Sequence, residues 1–319
     1  MATAVPAGQA DAMHITDIRT YPLKSAAGWP VDEAVVEPWG LRGDRRWAVI
    51  DERGAPLTAA DWPRMLAVTA THLPRGPLTV AHPPGGPLTA AHPPGGPVTA
   101  ARAPGGVVDG GLLVAAPGLP ELEIPVPAGG GHVPVGFSGL ERAVPAGDPA
   151  HDWFTRLLGR PARLVWLDDP ARRSIDPAHG GRPGEVVSFA WDAPLHLISA
   201  SSLDLLDRWI AEGAAERGEE PPGPLDPARF RPSVVVGGAE PYAEDGWRLV
   251  RIGEIDYRVS ERCDRCAMTT IDPVSRDRGK EPLRTLARHR RWDGKTWFGI
   301  RLVPRRPGTL RVGDPVAVR

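Results

Sequence analysis

The 319-residue sequence has only two cysteines and three lysines, and aromatic residues make up 6% of it. Two cysteines cannot form the disulfide framework of a secreted domain, so the reducing cytoplasm is the expected compartment. The formal net charge of −1 argues against binding to nucleic acid or to a membrane surface. No apolar run approaches the roughly 20 residues of a membrane-spanning helix. Residues 1–13 lack the basic and apolar blocks of a secretory signal and are expected to form a disordered tail.

What the chain has in excess is glycine, proline and arginine, with 37 glycines and 38 prolines. The 38 basic residues include only Lys24, Lys280 and Lys295 as lysines, a pattern typical of GC-rich codon bias. Arginine is therefore a weak functional signal in this chain, and each lysine is a stronger one. At roughly 150 residues per domain, the length indicates about two domains.

Short alternating apolar runs separated by Gly and Pro predict many strands. They occupy residues 14–18, 34–36, 47–50, 111–114, 122–126, 162–167, 195–198, 233–236, 247–252, 255–259 and 308–318. Helical signals are fewer: a short helix runs from Asp152 and ends at Gly159, and the Ser-x-x-Asp motif at Ser201 predicts a capping box. The sequence therefore predicts a strand-rich α+β protein with a few short helices.

Residues 74–107 contain an internal repeat with a period of ten residues. Gly-Pro-Leu-Thr or Gly-Pro-Val-Thr recurs at positions 76, 86 and 96, and His82, His92 and Arg102 share one phase of the repeat. Two histidines in register can indicate a metal site, but a duplicated Gly- and Pro-rich segment explains them more simply. We interpret the repeat as an insertion within a β-domain.

The two cysteines form one Cys-x-x-Cys motif, Cys263 and Cys266. A structural zinc site needs about four ligands, and the nearest histidine, His289, lies far along the chain. The motif follows strand-like sequence, which disfavours a thioredoxin-type redox pair. Two interpretations remain open: inert structural thiols, or a single thiolate that binds a soft metal or cofactor. The flanking Arg262 and Arg265 favour the thiolate form.

Four groups of residues have side chains suited to an anion such as phosphate. They are Lys24 with Ser25, Asp44 with Arg45 and Arg46, Ser201 with Ser202, and Arg231 with Ser233. Cationic forks, hydroxyls and the first amides of a helix are the groups that bind phosphate. Each group also has a plainer interpretation, as a capping serine, a solvated arginine or an ion pair between Asp44 and Arg45.

Taken together and in order, these segments resemble the MOSC proteins. The first half resembles the MOSC N-terminal β-barrel domain in IRTYPLKS at 18–25 and GLRGDRRWAVID at 40–51. The second half resembles the MOSC domain in FRPSVVV at 230–236, YAEDGW at 242–247, CDRCAMTTIDP at 263–273, EPLRTL at 281–286 and VGDPV at 312–316. The family is that of the mitochondrial amidoxime-reducing component and its bacterial relatives.

The resemblance implies a β-barrel-like domain over 14–165, which includes the repeat, and a MOSC-type β-barrel domain with short helices over 166–319. It implies the molybdenum cofactor (molybdopterin) and the reduction of N-hydroxylated compounds such as amidoximes, hydroxylamines and N-hydroxylated bases. At the level of the family it also extends to binding of pyridoxal phosphate. A thiolate is a soft ligand that suits a dithiolene-bound metal.

The resemblance also assigns roles to individual residues. It makes Cys266 the protein ligand to molybdenum and the catalytic residue. It assigns the cofactor to Lys24, Ser25, Arg45, Ser201, Ser202, Arg231 and Ser233. Ser233 stands where the family usually has asparagine, and Trp191 where it often has aspartate, which alters the mouth of the site.

The sequence has no cysteines left for an iron–sulfur cluster and no dinucleotide-binding fingerprint after a strand. Electrons are therefore expected from a separate flavin or iron–sulfur protein, and neither nucleic acid nor a membrane is an expected partner. A second hypothesis is a non-catalytic carrier of the cofactor or of sulfur. A third is a plain structural β-protein with inert cysteines.

Overall fold

The computed structural model describes residues 12–73 and 110–319. Most of the predicted tail and the whole ten-residue repeat therefore lie outside the described residues. Met13, the last residue of the predicted tail, is described, and its carbonyl accepts a hydrogen bond of 2.8 Å from the Val316 amide.

The described residues form nineteen strands and three α-helices, which confirms the strand-rich α+β prediction. The strands are β1 His14–Thr20, β2 Trp29–Val31, β3 Glu33–Glu37, β4 Gly40–Leu41, β5 Trp47–Ile50, β6 Thr69–Leu73, β7 Gly111–Ala116, β8 Leu119–Pro125, β9 Val133–Phe137, β10 Leu140–Pro145, β11 Arg163–Trp166, β12 Leu195–Ser199, β13 Val234–Gly237, β14 Leu249–Ile252, β15 Ile255–Asp264, β16 Arg291–Trp292, β17 Lys295–Pro304, β18 Gly308–Arg311 and β19 Val316–Val318. The helices are α1 Asp148–Leu158, α2 Ala200–Glu216 and α3 Leu283–His289.

The largest sheet joins strands from both ends of the chain. Its order is β19-β14-β15-β17-β12-β13-β1-β2, and β16 adds to β17. The first strand of the chain pairs antiparallel with β13, and β3 pairs with β18 in a smaller sheet. Sheet membership thus crosses the predicted boundary at residue 165, because period-two alternation shows which face of a strand is buried but not which strand pairs with it. The domain limits along the sequence stay a prediction.

Two smaller sheets and α1 build the rest of the first half. Their orders are β5-β11-β10-β9 and β6-β7-β8. The buried face of α1 presents Trp153 and Phe154 to a core that also contains Ile271 from the second half of the chain. The helix ends at Gly159 in the left-handed conformation, as predicted. No helix among the described residues is long and apolar enough to cross a membrane.

The capping box predicted at Ser201 is wrong. Helix α2 already begins at Ala200, so Ser201 and Ser202 lie in its first turn, and the N-cap residue Ser199 makes no side-chain capping bond. The Ser202 hydroxyl instead binds the buried carboxylate of Glu244, at 2.8 and 3.0 Å. The hydroxyl of Ser201, which the motif predicted to cap the helix, donates to the Ala239 carbonyl at 2.6 Å, a partner distant in the sequence.

Candidate functional site

Lys24 lies just after β1, where its amide donates to the Trp47 carbonyl at 2.8 Å. Its ammonium group donates to the Phe189 carbonyl at 2.7 Å and lies 5.7 Å from the centre of the Phe137 ring. Burial, with the positive charges of Arg173 and other arginines nearby, holds the pKa of Lys24 well below its usual range. The fold therefore holds the Lys24 side chain where its positive charge is disfavoured. A bound anion would stabilise that charge.

Two arginines stack on one tyrosine beside this lysine. The guanidinium carbons of Arg45 and Arg231 each lie 4.3 Å from the centre of the Tyr21 ring. The Tyr21 hydroxyl donates to the Pro232 carbonyl at 3.1 Å. Gly28 leaves room for this ring, since an added Cβ there would lie 2.1 Å from Tyr21 Cε1.

Only one of these two arginines has a carboxylate partner close by. Arg45 pairs with the fully buried Asp44, whose other oxygen accepts from the Tyr21 amide at 2.6 Å, so the ion-pair interpretation of this motif holds. Arg231 Nη1 donates to the Ala26 carbonyl at 2.6 Å, and its Nη2 is buried with no hydrogen-bond partner among the described residues. Burial, with Arg45 nearby, lowers the pKa of Arg231 to about 10. A buried guanidinium nitrogen without a partner is the group that a bound anion would satisfy.

The residues around Lys24 carry more positive than negative charge. We call Lys24, Arg45, Arg173 and Arg231 the cationic cradle. The described carboxylates that pair with it are Asp44 and Asp192, the latter 4.0 Å from Arg173. Such a surplus of buried and partly buried positive charge is unfavourable, and a bound anion would compensate it.

The backbone of the cradle is held in an unusual conformation. Four of the seven non-glycine residues with positive φ in the described ranges lie there: Ser25 at 69°, Arg45 at 48°, Asp192 at 47° and Arg231 at 54°. Each such conformation costs about 1–3 kcal/mol and persists only where the surroundings enforce it. Backbone strain concentrated beside these buried and partly buried cations marks the cradle as a candidate site by an observation independent of charge.

The two cysteines differ in their surroundings. Cys263 lies within β15 and is buried, whereas Cys266 follows the strand and is exposed. Cys266 caps a short 3-10 helix, Ala267–Thr270, and its carbonyl accepts from the Thr269 amide and hydroxyl, at 3.1 and 3.0 Å. The backbone at Cys266 is thereby fixed while its thiol stays accessible, as a ligand to an entering metal must be.

Cys263 sits in a positive environment of its own. Arg265 Nη1 lies 2.9 Å from Cys263 Sγ and 3.4 Å from His196 Nε2. Burial opposes ionisation of the Cys263 thiol, but Arg265, His196 and the buried Arg301 lower its pKa well below the usual range. Of the two arginines that flank the motif, Arg265 thus contacts the first cysteine.

Two contacts join the Cys266 segment to the Arg231 segment. Arg265 Nη2 donates to the Phe230 carbonyl at 2.9 Å, next to Arg231. Arg229 pairs with Asp272 at 2.5 Å. The predicted metal ligand and the cradle therefore stand on two segments that are bonded to each other.

The remaining predicted residues lie outside the cradle. Ser201 Oγ donates to the Ala239 carbonyl at 2.6 Å, and Ser201 lines an open surface depression with Asp204 and Asp207. The Ser202 hydroxyl is occupied by Glu244. Ser233 is buried between strands, where its Oγ accepts from the His196 amide at 3.3 Å. In this structure the contacts of these three serines are with the protein itself, and their cofactor role stays a prediction.

Sequence reasoning missed three residues of the site. Arg173 is 3% exposed and donates to the carbonyls of Ser138, Ser188 and Ala190, with Nε to Ser138 at 3.0 Å. Asp192 and Tyr21 are also buried against the cradle. Arginine is so common in this chain that Arg173 has no sequence signal. The carbonyls that it binds belong to irregular loops, which no periodicity marks.

Among the described residues, no group of three or more His, Cys, Asp and Glu side chains gathers in the way that a metal ion bound by protein alone requires. A metal at Cys266 would therefore depend on ligands that a cofactor brings. Soft metals held by a cofactor accept a single thiolate from the protein.

Comparison with known proteins identifies the family. Residues 12–95 match the family model of the MOSC N-terminal beta barrel domain, and residues 184–317 match that of the MOSC domain. The chain belongs to the MOSC-domain proteins. Both matches follow the order expected from the sequence, and the MOSC match includes Arg231, Cys263 and Cys266.

Proteins of two kinds are similar to this MOSC protein. It is 29% identical to mitochondrial amidoxime-reducing component 1 of Homo sapiens and to mitochondrial amidoxime reducing component 2 of Rattus norvegicus, over 95% of this chain and 82% of each relative. It is also 29% identical to molybdenum cofactor sulfurase of Oryza sativa subsp. japonica, over 91% of this chain but 32% of that protein.

Proposed function

We propose that this MOSC protein binds the molybdenum cofactor and reduces N-hydroxylated compounds. The observation that carries the proposal is the pairing of an accessible thiol, Cys266, with a cradle of buried cations on a segment bonded to its own. The relatives named as amidoxime-reducing components align with nearly the whole chain, which supports the same activity.

The residues present fit an anionic cofactor with a phosphate end. Lys24, Arg45 and Arg231 would hold the phosphate, with the unpartnered Nη2 of Arg231 as a ready donor, and Ser25 would add its hydroxyl. Cys266 would ligate the metal. When bound, the cofactor supplies a two-electron redox centre able to remove the oxygen of an N–OH group. The protein orients the group and neutralises its charge.

The proposal includes a separate electron donor, since the sequence has neither a dinucleotide fingerprint nor cysteines for an iron–sulfur cluster. A flavin or iron–sulfur protein would fill this role. We place the reaction in the cytoplasm, where two free thiols stay reduced.

The proposal is tested by metal and pterin analysis of protein made in a host that synthesises the cofactor. We expect one molybdenum per chain and turnover of benzamidoxime with a chemical reductant. Cys266→Ser should abolish turnover while the circular dichroism spectrum is unchanged and the pterin is retained, because the cradle is intact. Cys263→Ser is the matched control and should keep its molybdenum. Wild-type protein without molybdenum would contradict the proposal.

A second candidate function is a non-catalytic carrier of the cofactor or of sulfur. The match to molybdenum cofactor sulfurase over 91% of this chain favours it. A carrier would pass its cofactor readily to a cofactor-free acceptor enzyme and would not turn over benzamidoxime when chemically reduced. Slow transfer together with turnover would exclude this alternative.

A further inference from the structure

Trp191 is the one aromatic among the exposed large hydrophobic residues of the described chain. Its exposed fraction is 64%, whereas its neighbours Ala190 and Asp192 are each 5% exposed. A single exposed hydrophobic side chain is common and has no meaning by itself. The contacts around Trp191 are what set it apart.

The backbone on the N-terminal side of Trp191 is bonded to the cationic cradle. The Phe189 amide donates to the Arg45 carbonyl at 2.8 Å, and the Phe189 carbonyl accepts from Lys24. Arg173 donates to the Ala190 carbonyl at 2.6 Å. Three cradle residues thus fix the two residues that precede the indole.

The residue that follows Trp191 is fixed as well. Asp192, with its positive φ, lies 3.5 Å from His179, whose Nδ1 is 2.9 Å from Glu261. Arg301 binds both Glu261 and Asp264, the latter at 2.6 Å. This chain of contacts runs from Asp192 to Asp264, two residues before Cys266, and so links the loop that carries Trp191 to the segment that carries the predicted metal ligand.

One face of the indole is already occupied. The Lys24 ammonium lies 5.5 Å from the centre of the Trp191 ring, over its face. An anion held by Lys24 would lie on that inner side. The exposure of the ring therefore comes from its edges and its outer face, which a molecule arriving from solvent meets first.

We propose that Trp191 is a specificity-determining residue that stacks its outer face on planar aromatic N-hydroxylated substrates. The inference rests on the proposed function and adds a substrate class to it: arylamidoximes and N-hydroxylated bases are favoured over aliphatic N-hydroxy compounds. Stacking is effective here because the backbone on both sides of Trp191 is fixed and Lys24 lies over one face of the ring, so the conformational entropy lost on binding is reduced.

The test measures binding to the oxidised holoenzyme without an electron donor, so that no turnover occurs. Calorimetry compares benzamidoxime, which is planar and aromatic, with acetamidoxime, which is aliphatic. Trp191→Ala should raise the Kd of benzamidoxime about fivefold and leave that of acetamidoxime nearly unchanged. Trp191→Phe should restore most of the loss. Val318→Ala, at an exposed site in the last strand, is the control and should change neither Kd.

The same variants separate three outcomes that would overturn the proposal. An unchanged ratio of the two Kd values in Trp191→Ala overturns this inference and leaves the proposed function intact. Loss of pterin from Trp191→Ala with an unchanged ratio assigns the stacking surface to the cofactor instead of the substrate. Failure of the wild-type holoenzyme to bind either amidoxime overturns the proposed function, and this inference with it.

Discussion

At the scale of single residues, the candidate site is a group of positively charged side chains that outnumber the carboxylates paired with them. Arg45 has a buried carboxylate beside it, but Arg231 keeps a buried nitrogen without a partner, and the pKa of Lys24 is lowered by burial and by nearby arginines. The anionic cofactor of the proposed function would compensate this charge. Two predictions follow from this imbalance at individual side chains.

Lys24 should make anion binding depend on pH. Because its pKa is lowered, Lys24 loses its proton readily in the anion-free protein, and a bound anion favours the charged form. Sulfate should therefore raise the melting temperature of cofactor-free protein less as the pH rises from about 6 to about 9. Lys24→Met should weaken sulfate binding about tenfold and remove this pH dependence. The control is Lys280→Met, at an exposed site. An unchanged pH dependence in Lys24→Met would contradict the assignment.

Asp44 should matter for stability more than any exposed carboxylate. Its side chain is fully buried, and Asp44→Asn leaves the Arg45 charge without its partner. We expect a loss of about 3 kcal/mol in the free energy of unfolding, measured with urea. Asp256→Asn is the comparison, because Asp256 forms a half-exposed pair with Arg251 and should cost much less. Equal losses in the two variants would show that burial does not set the energy of the Asp44 pair.

At the scale of elements, the sequence predicted the limits of an element correctly where those limits depend on contacts between residues close in the sequence. Strand β5 has the predicted limits, and α1 ends at the predicted glycine. Both predictions succeed because a strand pattern and a left-handed C-cap depend on residues that are adjacent in the sequence. The capping box predicted at Ser201 was wrong because the Ser201 hydroxyl bonds to Ala239, which lies 38 residues farther along the chain. Arg173 and Asp192 were missed for a similar reason, because loops brought together by distant strands determine their contacts.

Ser202 should act on stability and not on the cofactor. Ser202→Ala leaves the buried Glu244 carboxylate without its hydroxyl donor, which should cost about 2 kcal/mol in urea unfolding. The molybdenum content of the folded protein should be unchanged. Ser201→Ala removes only a partly exposed bond and is the matched control. A variant of Ser202 with normal stability and lowered molybdenum would instead support the cofactor role that the family resemblance implies.

At the scale of the whole molecule, the two halves of the sequence are interleaved. Residues of β1 pair with β13 at the centre of the second half, and β18 returns to pair with β3. The Ile271 side chain enters the core of the first half, close in sequence to Cys266. The cradle and the thiol are held together by the largest sheet and by a core to which both halves contribute.

Residues 166–319 should therefore fail to fold when expressed without residues 1–165. Without β1, the paired residues Val234 and Val236 of β13 lose the cover of Ile18 and Ile15, and an open apolar strand edge favours aggregation. We expect the fragment to show no cooperative transition in urea, whereas the full chain unfolds in a single one. Co-expression with residues 1–165 should restore a soluble complex, because β1 pairs through backbone hydrogen bonds that do not need a continuous chain. A fragment that unfolds cooperatively by itself would instead support an independent domain beginning at residue 166.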